Sequence, residues 1–166
     1  GTLSSVNVLI EKARKANKPI FVDPKGTDFT RYRGASLLTP NLKEFEQIVG
    51  PCETDEILAE KGKMLMEALD LGALIVTLGS KGMVILRHNL PVLHLPAMAR
   101  EVYDVTGAGD TVVAVLACAS ATGLELPEAA AIANMAAGIV VGHVGAASVT
   151  VSELQEAIAS QTTQTV

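Results

Sequence analysis

Asp104-Val105-Thr106-Gly107-Ala108-Gly109-Asp110 runs directly into an apolar helical segment, Thr111 to Thr122. Two glycines around an alanine let the backbone bend tightly, aiming successive N–H groups into one concavity at a helix N-terminus, and such a concavity binds anions. A transferring phosphoryl group spreads negative charge over its equatorial oxygens, so fixed amides from Gly107, Ala108 and Gly109 would stabilise it as that charge shifts. Asp110, when ionised, is no anion ligand; its chemical use is to accept the proton of a hydroxyl held in line with the phosphoryl group. The helix dipole favours the ionised form and so weakens the base, but a loose transition state needs only modest proton removal. The same residues also read as a Gly-rich turn in which Thr106 or Asp110 caps a core helix. A dinucleotide fingerprint is not met, because Gly107-Ala108-Gly109-Asp110-Thr111-Val112 follows Arg100-Glu101-Val102-Tyr103 rather than a buried strand, and the chain has no Gly-Lys-Ser or Gly-Lys-Thr of a Walker loop.

The elements that must position this bend alternate between helix and strand. Ser4 to Ala16 carries Val6, Leu9, Ile10 and Ala13 at helical spacing, and Pro19-Ile20-Phe21-Val22 follows as a short buried strand ending at Asp23-Pro24. A second strand-like run, Ala35 to Thr39, stops at Pro40-Asn41 and opens a helix from Leu42 to Val49; a longer helical pattern covers Thr54 to Leu69. Ala73 to Thr77 is an unbroken strand, and Met83 to Leu86 with Val92 to Leu95 reads as antiparallel additions joined by turns. Three helices follow, Gly109 to Thr122, Leu126 to Gly142 and Ser152 to Ala159. This alternation predicts an α/β architecture whose mainly parallel sheet is covered on both faces, with ligands at the carboxyl ends of its strands. Residues 1–160 form one domain-sized piece, and the polar 161–166 tail has no apolar anchor to hold it. Gly1-Thr2-Leu3 precedes the first helix with no strand ahead of it, which reads as the back half of something larger.

With 166 residues, 49% of them hydrophobic, the chain has the apolar content to close a core, which excludes a disordered or fibrous class. A net charge of -5 with Lys and Arg scattered offers no footprint for nucleic acid or an anionic membrane. The most apolar windows, Thr111 to Thr122 and Ala129 to Val144, fall short of the roughly 20 residues that a membrane span needs. Cys52 and Cys118 lie far apart with no signal-peptide pattern ahead of them, which fits a reducing cytoplasm. His88, His94 and His143 have no metal-ligand spacing and read as incidental.

Asp-x-Thr-Gly-Ala-Gly-Asp resembles the C-terminal signature of the ribokinase-like, or PfkB-type, carbohydrate kinases. Val22 to Phe29, Tyr32 to Ala35, Leu38 to Phe45 and Glu101 to Asp104 resemble the heptose-phosphate kinases within that family, and the likeness runs from about Gly1 to Ile158. The resemblance implies the C-terminal portion of a ribokinase-like three-layer α/β/α sandwich. It implies ATP-dependent phosphorylation of the C1 hydroxyl of heptose 7-phosphate, toward activated heptose for lipopolysaccharide. By matched position, Asp110 becomes the catalytic base and Gly107, Ala108 and Gly109 the anion hole. Asn41-Leu42-Lys43-Glu44 falls on the family's Asn-x-x-Glu element, which serves the ATP phosphates and magnesium; the same spacing makes Asn41 and Glu44 a helix capping pair. Thr77, Gly79 and Gly82 lie in a stretch that resembles the nucleotide loop or serves as a plain turn, and Asn134 flanks the adenine or bonds a neighbouring carbonyl. Asp104 and Thr106, with the Gly142 to Ser148 loop, match where many relatives hold a monovalent cation such as K+. Lys25, Arg31 and Arg33 follow a strand end on the ligand side and either neutralise a phosphate, Lys25 first among them, or are solvated surface charge.

Family members are about twice this long, and their first half carries the opening strands, a lid and most sugar contacts. The expected behaviour of this chain alone is nucleotide binding with little turnover, and an apolar edge left by missing strands would favour a homodimer. Two competing expectations are a nucleotide-binding or oligomerisation module without catalysis, and a kinase of the same type acting on another sugar or a nucleoside.

Overall fold

The computed structural model describes residues 5–98, 103–145 and 147–162. Their elements run α1 (Val6–Lys15), β1 (Phe21–Val22), β2 (Leu37–Leu38), α2 (Leu42–Val49), α3 (Asp55–Leu69), β3 (Ala73–Thr77), β4 (Met83–Arg87), β5 (Leu93–Leu95), α4 (Ala108–Ala121), α5 (Leu126–Val141) and α6 (Val151–Thr162). Thr30–Tyr32 and Gly79–Lys81 form single turns of 3₁₀ helix that the sequence pattern does not announce. The chain divides into two compact units, Gly1–Leu78 with Val84–His94, and Gly79–Met83 with Leu95–Val166.

The first unit is built on a sheet in the order β1-β2-β3-β4-β5. β1, β2 and β3 are parallel, with Phe21 opposite Leu37 and Leu37 opposite Ala73. The connections from β3 to β4 and from β4 to β5 span five residues each, too short for the crossover that parallel neighbours require, so they turn the chain back on itself. Before these strands the ladder is interrupted because Ile20 N–H goes to Ser36 Oγ at 3.0 Å instead of to a backbone carbonyl. Along β3, Leu74, Ile75 and Val76 are all fully buried, as expected for a strand covered on both faces. Leu74 and Val76 join Phe29, Tyr32, Phe45 and Leu86 in the main apolar cluster. Gly62 lets α3 lie close to the sheet, since a Cβ there would stand 2.9 Å from the Leu86 side chain.

In the second unit α4 and α5 pack along most of their length and α6 packs on α5. Val112, Leu116 and Ala119 supply the buried stripe of α4, and α5 presents Ala129, Ala130, Ala133 and Ala136, whose small side chains permit close approach. α5 opens on a Glu125–Glu128 capping box, and α6 on the bonds from Thr150 to Glu153. α6 continues to Thr162, past the expected stop at Ala159; residues 163–166 of the expected tail lie outside the described residues. No helix among the described residues is long and apolar enough to cross a membrane.

Candidate functional site

In the first unit the carboxyl ends of three parallel strands bring several predicted residues together. Asp23 and Lys25 follow β1, Asn41 follows β2, and Thr77 ends β3, bridged to Asn41 with its N–H donating to Pro40 O at 3.0 Å. Asn41 and Glu44 form a reciprocal capping box: Glu44 N–H donates to Asn41 Oδ1 at 2.9 Å, and Asn41 N–H donates to Glu44 Oε2 at 2.9 Å. The capping role expected from the spacing is therefore real, and it leaves Glu44 Oε1 for another partner. That partner is Lys25, whose Nζ lies 3.4 Å from Glu44 Oε1 and 2.9 Å from Asp23 Oδ2. The Asp23 and Glu44 side chains are only 15% and 20% exposed, whereas Lys25 is 69% exposed. The Asp23 hydrogen bond, with further attraction from both carboxylates, raises the Lys25 ammonium above its ordinary pKa of 10.5 despite its partial burial. Of the other two positions in this element, Leu42 packs against the core and Lys43 points into solvent.

The loop after β1 is held by a buried phenol. Tyr32 Oη accepts from Lys25 N–H at 3.0 Å and donates to Lys25 C=O at 3.1 Å. Arg31 sits over the Tyr32 ring, 5.6 Å from its centroid, and Arg33 is exposed. Sequence reasoning did not single out Asp23 or Tyr32 as site residues. The available signal was an acid and a lysine flanking a proline immediately after a buried strand.

The second unit carries the Gly-rich bend. Gly107 is the N-cap of α4 with φ 82°, a left-handed conformation that a side chain would strain, and no side chain caps this helix. Among the described residues, none would come within 4 Å of a Cβ on Gly107 or Gly109, so no described side chain packs over the bend there. Asp110 stands exposed in the first turn. Ala108 N–H is donated to Val105 O at 3.2 Å, and the first α-helical bond runs from Thr111 N–H to Gly107 O at 2.9 Å. That leaves the N–H groups of Gly109 and Asp110 without intrahelical acceptors. Asp104 precedes the bend, its Oδ1 accepting from Thr106 N–H at 2.8 Å, and this bonding to Thr106 holds the Asp104 carboxyl below its ordinary pKa of 3.8. The backbone before the bend is tied to the end of α5 through Tyr103 N–H and Val141 O at 2.8 Å.

Other predicted positions in this unit have structural duties. Gly82 has φ 92°, and a Cβ there would fall 2.6 Å from Ala97 N, so it serves close backbone packing; a Cβ on Gly79 would meet nothing among the described residues within 4 Å. Buried Asn134 donates to Pro96 O at 2.7 Å, the neighbouring-carbonyl role. His143 lies 3.3 Å from Glu153. In the first unit His94 lies 3.7 Å from Asp55 and His88 Nε2 lies 2.7 Å from Leu71 O. Among the described residues no group of three or more His, Cys, Asp or Glu could hold a metal, so any divalent cation would rely on fewer protein ligands with water. Arg100, Glu101 and Val102, and Ala146 of the expected cation loop, lie outside the described residues.

A family model described as pfkB family carbohydrate kinase matches residues 3–153. The chain belongs to this family. It is similar to the Bifunctional protein HldE of Pseudomonas aeruginosa, 59% identical over 158 residues that cover 95% of this chain and 33% of that protein. It is likewise similar to the Bifunctional protein HldE of Histophilus somni, 56% identical over 163 residues, 98% of this chain and 34% of that one. The chain thus spans about a third of the length of these curated relatives. Among solved structures, Arabidopsis thaliana ribokinase complexed with ribose and ATP superposes with a TM-score of 0.84 at 25% identity, over 92% of this chain and 51% of that one. Escherichia coli phosphofructokinase-2 in complex with potassium superposes with a TM-score of 0.82 at 19% identity, over 95% of this chain and 52% of that one, a likeness of fold. The ribokinase-like α/β fold with a mainly parallel sheet, expected from the signature, is the fold of this pfkB-family chain.

Proposed function

We propose that the chain is the nucleotide-binding and phosphoryl-transferring part of an ATP-dependent sugar kinase acting on the C1 hydroxyl of a heptose 7-phosphate. The observation that carries this reading is the uncapped first turn of α4: left-handed Gly107 leads into a turn whose Gly109 and Asp110 amides have no intrahelical acceptor and whose exposed carboxylate, Asp110, sits beside them. In this role the amides of Gly109 and Asp110, at the turn that Gly107 and Ala108 form, bind the migrating phosphoryl oxygens and the Asp110 carboxylate takes the hydroxyl proton. Residues 1–160 act as one functional piece.

Asp23 and Glu44 supply hard carboxylate oxygens that already converge on one cationic group, which suits Mg2+ held with several of its own waters. Mg2+, when bound, neutralises nucleotide phosphate charge. Asn41 orients Glu44; Lys25 meets phosphate; Lys43 and Thr77 border the nucleotide. Asp104 and Thr106 are the proposed neighbours of a monovalent cation such as K+. The heptose acceptor is supported by the likeness to the HldE proteins, and a cytoplasmic homodimer is the proposed working state. Since the matched stretch is about half of each solved kinase, this segment alone is proposed to bind ATP and turn over little.

The test is Asp110→Asn in a chain extended upstream to the length of the matched kinases. Transfer to heptose 7-phosphate should fall by about 10²-fold or more while Mg-ATP still raises the melting temperature. Retained transfer removes Asp110 from the base role. Transfer to a different sugar or to a nucleoside in preference to heptose 7-phosphate corrects the acceptor.

A further inference from the structure

We propose that the Lys25 ammonium and a divalent cation are alternative occupants of the Asp23–Glu44 carboxylate pair, so that metal binding frees Lys25 to meet the anion that arrives with it. The step in which Lys25 meets a phosphate rests on the nucleotide reading above; the competition for the pair does not.

The two carboxylates are mostly withdrawn from water and directed at one point, where the ammonium sits 2.9 Å from one and 3.4 Å from the other. One positive charge leaves the pair one negative charge in excess, whereas a divalent cation would balance it. Glu44 is held in place whichever cation fills the pair. Glu44 Oε2 is tied to Asn41 N–H and Asn41 Oδ1 to Glu44 N–H, each at 2.9 Å, which fixes Oε1 toward Lys25. Lys25, by contrast, can swing away: its side chain is 69% exposed. Its peptide stays pinned on both sides by Tyr32 Oη, at 3.0 and 3.1 Å, so release is a swing of the side chain and not a movement of the loop. The ammonium then serves as the resting counter-ion of two partly desolvated carboxylates that would otherwise repel each other.

Mn2+ binding to the full chain without nucleotide, followed by the loss of the free-Mn2+ EPR signal, tests the competition directly. Lys25→Met keeps the aliphatic stem and removes the competing charge, so its Mn2+ affinity should rise about tenfold over wild type, while Lys25→Arg stays near wild type. Glu44→Gln, whose amide oxygen preserves the cap, should lose the binding. In wild type, Mg2+ should speed acetylation of the Lys25 amine, read by peptide mass spectrometry against the remaining lysines. Equal or weaker Mn2+ binding by Lys25→Met, or acetylation of Lys25 indifferent to Mg2+, overturns the proposal. A parallel ATP titration that finds no nucleotide binding would count against the kinase reading alone, since neither Mn2+ affinity nor metal-dependent acetylation requires ATP.

Discussion

Asn41 and Glu44 carry two roles that substitution can separate. Two reciprocal bonds of 2.9 Å satisfy two N–H groups at the start of α2. Asn41→Ala removes the side-chain acceptor for Glu44 N–H, and loss of such a cap costs about 1 kcal/mol. Because Asn41 is exposed, water recovers part of that bond, which keeps the cost near this figure instead of the upper end of the range. For a domain of this size, about 1 kcal/mol lowers the melting temperature by about 2–4 °C. Glu44→Gln keeps an oxygen for Asn41 N–H and loses only the charge: a favourable carboxylate at a helix N-terminus and a 3.4 Å contact to a largely exposed lysine, together about 0.5 kcal/mol. Urea unfolding should therefore rank Asn41→Ala below Glu44→Gln in stability. Ligand-induced stabilisation should reverse that order: added Mg-ATP should still raise the midpoint of Asn41→Ala and do little for Glu44→Gln. If Glu44→Gln costs as much stability as Asn41→Ala, or if Asn41→Ala is neutral, the partition between capping and charge is wrong.

The two glycines of the β3–β4 connection should respond differently to alanine. At Gly82 the new Cβ would approach backbone at Ala97 within 2.6 Å in a left-handed conformation, and urea melts should show a loss of about 3 kcal/mol or more. At Gly79 nothing among the described residues lies within 4 Å, and only the conformational cost of about 1 kcal/mol should appear. The Arg14 hydrogen bond, 2.6 Å long, holds the Asp70 carboxyl below its ordinary pKa of 3.8, so the folded chain binds fewer protons there than the unfolded one. Its contribution is complete above pH 3.8 and is lost as the pH falls through the lower folded value, and Asp70→Asn, tolerated at φ 51°, should flatten that acid limb of the stability profile. Tyr32→Phe removes both bonds to the Lys25 peptide from a phenol only 6% exposed; it should cost about 1 kcal/mol in urea and weaken Mn2+ binding by loosening the loop.

The fold was legible where periodicity was strong. α2 matches its expected bounds, Leu42–Val49, and β3 matches Ala73–Thr77, because each is bounded by residues that stop the pattern: Pro40-Asn41 before α2, Gly50 after it, and Gly72 before β3. β1 and β2 span two residues each, and before them a side-chain hydroxyl, Ser36 Oγ, captures a donor that hydropathy alone would assign to the ladder. The 3₁₀ turn at Thr30–Tyr32 was hidden because its stability comes from burying Phe29 and Tyr32 in a core assembled by distant strands. The local motif around Asp110 was readable as a contiguous string. The Asp23–Lys25–Glu44 arrangement was not, because it exists only once parallel pairing places the end of β1 beside the start of α2.

The bend itself shows where a motif reading stops short of geometry. A string of small residues suggests three equivalent amides, yet Ala108 N–H closes a turn on Val105 O, while helix geometry leaves Asp110 N–H without an acceptor. Asp110 is then equipped both to stabilise charge through its backbone and to accept a proton through its side chain. Substitution by Asn leaves the first and removes the second. The residual anion affinity of Asp110→Asn therefore measures the amides, and the loss of turnover measures the carboxylate, a separation that no substitution at Gly107 offers, because any side chain at its φ of 82° strains the backbone that sets the whole turn.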